Sequence, residues 1–366
     1  MRICYLANAS KIHTQRWTKY FAEKGHEVHI ISFEQTDVEL NGINIHVVKT
    51  NKNYLYITFL YKALQVKRII NDIKPDIIHA HYVTKYGIIG ALTGFHPFVV
   101  SALGSDVLIH PKDSLILKKA AEFAMKRADL ITCDGENSKD AIINLGTNSK
   151  KIHIIFHGVD TKIFKPSKKD EKLRKELELF DFPTIISVRY LGPIYDIESI
   201  IISATLILKE IHNVKFIIAG EGEQKSYLMN LAQSLDIISS FRFVGLIQHN
   251  ELSRYLASAD IYVSTSLTDG GLAMSTAEAM ACGLPVVTTD IGDNRKWIED
   301  GINGFIVPPK NPKLLADKII YLIKNPDFQK RFGMQNRKII EERNNYYNEM
   351  KNMEKLYETL IERHAI

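Results

Sequence analysis

The chain predicts an α/β protein of two domains, each a parallel β-sheet covered by helices. Three observations lead there. Short apolar runs rich in Val, Ile and Phe alternate with helical patterns along the whole sequence. The alternation falls into two series separated by a proline- and charge-containing stretch. The 366 residues, 45% of them hydrophobic, supply material for two separate cores.

In the first series residues 3–7, 27–33, 43–48, 76–80, 98–102, 130–133 and 152–156 read as strands, with helical patterns between most of them. Helices are expected over 55–72 and 114–127. Residues 86–105 lack Asp, Glu, Lys and Arg, but Gly87, Gly90, Gly94 and Pro97 break them into a short helix and a strand rather than a membrane span. Residues 160–174, with Pro166, Ser167 and the charge run from Lys168 to Lys172, read as an interdomain linker. The second series has strands at 183–188, 214–219, 241–244, 261–264, 285–288 and 305–307. Residues 345–364 close the chain with Met350, Met353, Leu356, Tyr357, Leu360 and Ile361 at three- and four-residue spacing, one apolar helix face.

Charge divides unevenly. Residues 1–165 hold 22 Lys and Arg against 15 Asp and Glu, and the remainder 25 against 27. Lys67-Arg68, Lys118-Lys119 and Lys126-Arg127 fall on amphipathic helices, so a solvated face and peripheral contact with an anionic membrane are the two readings. Nucleic acid is not expected, because no base-stacking aromatic series accompanies the charges. Cys4, Cys133 and Cys282 lie far apart in apolar patterns and read as buried thiols. Met1-Arg2 runs straight into the first strand, and the expectation is a cytoplasmic protein, with the inner face of the cell membrane as a peripheral site.

Residues 266–290 carry the most chemistry. Asp269, Gly270 and Gly271 make a loop whose backbone can approach a ligand and present N–H groups to it. A helix over 272–282, beginning at Leu272, would aim its positive end at the same place. Glu278, about two turns into that helix, has the carboxylate needed to hold a sugar diol by two hydrogen bonds. Together these describe a pocket for a phosphorylated, hydroxyl-rich ligand. Arg189 directly follows the strand 183–188, at the edge where α/β proteins bind ligands, and its planar fork suits a diphosphate; an interdomain salt bridge is the alternative. Gly220-Glu221-Gly222 follows the strand 214–219, where Glu221 is either a pocket carboxylate or part of a structural turn.

The segment ending EAMACGLPVV resembles the donor-sugar signature of family 4 retaining glycosyltransferases, and KGHEVHIIS, KPDIIHAH, GSDV, HGVDTKIFKP, AGEGEQ, FVGLI and GINGFIVPP follow that family's order over nearly the whole chain. The resemblance implies a GT-B fold: two Rossmann-like domains facing across a cleft, the first over 1–165 binding the acceptor and the second over 166–344 binding the nucleotide sugar, with the helix at 345–366 crossing back to the first. It implies a nucleotide-diphosphate sugar as co-substrate, no cofactor, and transfer with retention to a hydroxyl of a glycan or lipid-linked acceptor in cell-surface polysaccharide or glycolipid synthesis. Arg189 matches the family's phosphate-binding arginine, Glu278 its ribose ligand, and Phe243 and Val244 the segment whose backbone meets the nucleobase.

The sequence departs from the family at several positions. A lysine usually follows the arginine, where this chain has Tyr195. The first of two glutamates would stand at Gly270, and Asp269 is the substitute, as a sugar-hydroxyl ligand or as the helix N-cap. Many relatives have a histidine at Leu103. In the first domain Asn8, Ser10 and His13 replace a glycine-containing loop, and no GxGxxG is present. Together with Gly104 and Asp106 they are the acceptor-binding candidates, and Asp106, Arg189 and Asp269 the catalytic ones. His13 equally suits a structural place at the start of a helix, and of His79 and His81 the latter is expected to face the cleft. No metal site is expected: the histidines lack zinc-like spacing and no Asp-x-Asp occurs. A nucleotide-sugar epimerase and a non-catalytic nucleotide-sugar-binding protein are the alternative functions.

Overall fold

The computed structural model describes residues 1–35, 39–48 and 55–365. The chain divides into two compact units, the first comprising Met1–His157 and Tyr347–Ile366, the second Gly158–Tyr346.

The first unit is built on seven parallel strands: β1 (Arg2–Leu6), β2 (Glu27–Ser32), β3 (Ile43–Val47), β4 (Ile77–His81), β5 (Phe98–Ser101), β6 (Leu130–Cys133) and β7 (Ile152–Ile154). Their spatial order is β3-β2-β1-β4-β5-β6-β7. The central strands are buried along their length, as helices on both faces of a parallel sheet require, which is why they read as continuous apolar runs. The stretch at 86–105 breaks as its glycines and proline predict, into a short π-helix (Val83–Gly87), an α-helix (Ile88–Thr93) and β5. No helix among the described residues is long and apolar enough to cross a membrane.

The second unit repeats the plan with six parallel strands: β8 (Thr184–Val188), β9 (Lys215–Ala219), β10 (Phe241–Gly245), β11 (Ile261–Ser264), β12 (Val286–Thr289) and β13 (Gly304–Val307), in the order β10-β9-β8-β11-β12-β13. Each unit has its own apolar core, one around Leu6, Ile78, Phe98 and Val100, the other around Ile185, Phe216, Val263 and Val287. The stretch at 160–174 is not a free linker. Asp170 Oδ1 accepts from the Leu173 amide at 2.9 Å to start the helix Glu171–Glu176. Arg174 is buried in the second unit, donating to the Ser258 carbonyl at 2.6 Å. Removing that guanidinium would strand the carbonyls it binds.

The last helix, Tyr346–Ala365, begins in the second unit and packs its predicted face into the first, with Met350, Met353 and Tyr357 wholly buried. Its start depends on Gly158, whose φ is +68° and whose absent side chain would meet the Tyr346 Cα at 2.4 Å. That contact lets Val159 pair with Asn344 at 2.8 Å and with Tyr346 at 3.0 Å.

Candidate functional site

In the second unit the strand order reverses between β8 and β11, and the chains leaving their C-terminal ends diverge there, where open α/β sheets hold ligands. Arg189 is the first residue after β8 and the loop before Met274 follows β11. Arg189 Nη2 donates to Asp269 Oδ1 at 2.7 Å, with side-chain exposures of 9% and 18%. Burial disfavours the guanidinium charge, but the Asp269 carboxylate and the nearby Tyr262 oxygen more than offset it, so Arg189 is held above its ordinary pKa. The Arg189 Nε is buried and has no hydrogen-bond partner among the described residues. A buried donor left unsatisfied costs about 1–3 kcal/mol, which a bound acceptor would recover.

Tyr195, standing where the resemblance expects a lysine, places its ring 4.7 Å from the guanidinium as a cation–π partner. Its loop is pinned from the facing side: Thr265 Oγ1 donates to the Tyr195 and Asp196 carbonyls at 3.0 and 2.9 Å, and the Leu267 amide to Ile194 at 2.8 Å. Thr289 Oγ1 fixes the Ser266 carbonyl at 2.6 Å. The loop holding Asp269 and Gly270 therefore hangs from anchored ends, with Gly271 buried and Leu272 half-buried.

The helix expected over 272–282 is observed as Met274–Ala281, capped by Ala273 without a side-chain bond. Asp269 is consequently not its N-cap, and the Arg189 pairing takes the place of that reading. Glu278 lies one turn rather than two into the helix, 3% exposed. Its Oε1 is 2.9 Å from Nε2 of His249, whose ring meets Phe164 edge-on at 5.2 Å. His249 was invisible to sequence reasoning, because nothing in a polar turn 29 residues upstream marks it as a carboxylate partner.

Glycines 220 and 222 have a steric reason. A side chain at either would meet the Arg189 or Leu191 carbonyl oxygen, at 1.9 and 2.3 Å. The turn thus interlocks with the residues after β8, as the Leu191 to Glu221 backbone bond at 2.9 Å shows. Glu221 itself is half exposed and accepts from Lys225 at 2.7 Å. Phe243 pairs with Ile218, and the register shifts before Gly245 pairs with Ala219, an irregularity that falls at Val244 on an edge strand.

In the first unit the order reverses between β1 and β4. Asn8 follows β1 and its Oδ1 accepts from the Ser10 amide at 2.9 Å, while Ser10 itself is exposed. His13 stacks on His157 at 4.5 Å, beside Trp17. His79 and His81, two apart on β4, both sit on the same face, and both are buried. His79 is spent inside the fold: Nδ1 bonds to the Tyr357 hydroxyl and Nε2 to Ser101 at 2.7 Å. His81 keeps both nitrogens without a partner among the described residues, and burial pushes it down to about 3. Burial holds His79 and His157 well below the ordinary histidine value as well.

Gly104 adopts φ +103° ahead of the short helix Ser105–Leu108. Asp106, expected to meet a substrate hydroxyl, is wholly buried instead. Its carboxylate accepts from the Val83 amide at 2.7 Å and the Leu103 amide at 3.0 Å, tying the loop after β5 to the loop after β4. Burial raises it to about 7 despite these bonds. With both oxygens occupied, its role here is to hold the turn.

Two family descriptions match the chain: glycosyl transferase 4-like over residues 2–135 and glycosyl transferases group 1 over residues 168–339. An uncharacterized glycosyltransferase of Methanocaldococcus jannaschii is 27% identical over 340 residues, covering 91% of this chain and 90% of that one. The N-acetyl-alpha-D-glucosaminyl L-malate synthase of Bacillus anthracis is 24% identical, covering 88% and 87%. Among solved structures, Anabaena HepE in complex with UDP-glucose superposes with a TM-score of 0.86 at 22% identity, covering 98% of this chain and all of that one.

Proposed function

Because this chain belongs to the group 1 glycosyltransferases, with the GT-B fold, we propose that it transfers a sugar from a nucleotide-diphosphate sugar to a hydroxyl of a glycan or lipid-linked acceptor. The observation that carries the donor half is Arg189: a buried cation at the strand-order reversal, oriented by Asp269 and Tyr195, with its Nε–H open to an incoming oxygen among the described residues. When the sugar–phosphate bond breaks, negative charge grows on the diphosphate, and a fixed guanidinium stabilises that state more than the ground state. Amides of the 270–273 loop and the N-terminus of the helix Met274–Ala281 add to the same charge.

Glu278, held through one oxygen by His249, keeps the other for a ribose hydroxyl. The irregular edge-strand backbone at Val244 suits the base edge. Asp269, once a donor engages Arg189, accepts from a sugar hydroxyl in this reading, a role that rests on the family resemblance. The acceptor falls to the Asn8–His13 segment and the residues around Gly104 in the first unit, with the buried His81 imidazole held neutral, His13 in the first turn of the helix Ile12–Glu23, and Asp106 holding the loop. Retention, independence of metal, synthesis of envelope polysaccharide or glycolipid, and docking of the basic first unit on an anionic membrane complete the proposal; they rest on the family resemblance and on the sequence charge.

The test is a melting-temperature screen of the purified chain against nucleoside diphosphates and nucleotide sugars, with UDP-glucose first because the Anabaena relative was solved with it. A ligand bound only by the folded state raises the melting temperature. A rise with one nucleotide class, lost in Arg189→Ala and Glu278→Ala, is the expected result, and release of nucleoside diphosphate then separates transfer from the non-catalytic binding alternative; no rise with any donor overturns the donor site.

A further inference from the structure

We propose that His96, Asp129 and His364 form a site for a divalent transition metal, with Zn2+ the best match, that fastens the end of the C-terminal helix to the sheet of the first unit. The three come from separate segments: His96 lies two residues before β5, Asp129 immediately before β6, and His364 in the last turn of the helix Tyr346–Ala365. His96 Nδ1 is 2.7 Å from Asp129 Oδ2, and His364 Nε2 is 3.7 Å from Asp129 Oδ1. One ligand atom from each residue lies within 4.8 Å of the other two. Around a tetrahedral zinc with bonds of about 2.0–2.1 Å, neighbouring ligand atoms stand about 3.3 Å apart, so the observed separations straddle the required one.

Two further contacts prepare the donors. His364 Nδ1 donates to the Leu360 carbonyl at 2.9 Å, which leaves the lone pair on Nε2, the nitrogen facing Asp129. Asp129 Oδ2 accepts from the Phe98 amide at 2.8 Å, which fixes the carboxylate plane. The two imidazole planes are parallel within 4°. Two imidazoles and a carboxylate suit Zn2+ and its neighbours and disfavour Mg2+, which prefers an all-oxygen shell. The side chains are 38%, 21% and 34% exposed, so water can complete the coordination. To bind, the His96 ring turns its Nδ1 lone pair to the metal and carries its proton on Nε2, so the hydrogen bond to Asp129 gives way to two metal–ligand bonds.

The site lies at the amino ends of β5 and β6, whereas ligands of α/β sheets gather at the carboxyl ends, so its role is to hold structure. Sequence spacing conceals it, because the three residues come together only through the returning helix.

The experiment uses the full, untagged, metal-stripped chain, titrated with ZnCl2 by calorimetry and melting curves, with MgCl2 as control. Expected are one equivalent of saturable Zn2+ binding and a melting-temperature rise on the order of 5 °C at a hundredfold excess over Kd, reversed by chelator. His364→Ala, an exposed change that leaves the metal-free melting temperature in place, weakens binding at least about tenfold, and His96→Ala does the same. No saturable binding, or binding undiminished in His364→Ala, overturns the proposal.

Discussion

The two units share one strand order through their first six strands, yet the carboxyl edges of their sheets are furnished oppositely. In the second unit the reversal point carries the Arg189–Asp269 ion pair and a Glu278 side chain hydrogen-bonded to His249. In the first it carries rings and suppressed charges: His13 against His157, Trp17 against His81, and Asp106 shut beneath its own loop. The difference teaches that topology supplies the place and side chains supply the chemistry. A diphosphate needs fixed positive charge, whereas a neutral hydroxyl is met by uncharged hydrogen-bonding groups.

The largest expected effect breaks the charged side of this comparison. Arg189→Ala should lower turnover by about 10²–10³-fold, the cost of removing one donor aimed at developing charge, measured as release of nucleoside diphosphate. Next, Glu278→Ala should raise the donor Kd by roughly tenfold or more, since hydrogen bonds to charged groups are worth about 1.5–3 kcal/mol; calorimetry with the nucleotide sugar checks this. Wild-type behaviour in either variant would remove the donor site from the second unit.

The first unit should reveal itself through pH. Asp106 has a folded pKa of about 7 against an ordinary carboxylate value, so the folded state holds the extra proton. Its contribution to stability therefore falls as pH rises from about 4 to 7. His81, at about 3 when folded, works in the other direction: the unfolded state takes the extra proton, and stability falls as pH drops from about 6.5 to 3. Asp106→Asn sets an amide N–H₂ against one of two backbone N–H donors and should cost about 1–3 kcal/mol while removing the fall in melting temperature that this group contributes between about pH 4 and 7. His81→Phe should flatten the acid side. Unchanged slopes in both variants would mean that these groups do not titrate as their burial requires. The smallest effect belongs to Tyr195→Ala, which should loosen Arg189 by about 0.5–1 kcal/mol and raise the donor KM a few-fold, checked by steady-state kinetics.

Much of the fold was legible because a parallel strand buried on both faces must be apolar from end to end. All thirteen sequence-predicted strands are observed, with no end displaced by more than two residues. The chain return was legible too, since Met350, Met353, Tyr357 and Leu360 mark one face of a helix. Boundaries set by backbone geometry were less so: the loop before Met274 runs two residues further than the sequence suggests, because glycines state only that the chain can turn. The charge run at 168–172 read as a linker, yet the burial of Arg174 depends on carbonyls that no local pattern announces.

The sequence by itself determined the two-sheet architecture, the family, and the side-chain types at the candidate site, because periodicity and motif order are properties of the chain. Only the tertiary structure decided their partners. It gave Asp269 to Arg189 and His249 to Glu278, closed Asp106 away from solvent, separated a spent His79 from a His81 without a hydrogen-bond partner among the described residues, and gathered His96, Asp129 and His364 around one point. Hydrogen bonds, ion pairs and metal coordination act over a few ångströms of space, and separation along the chain carries almost no information about that distance.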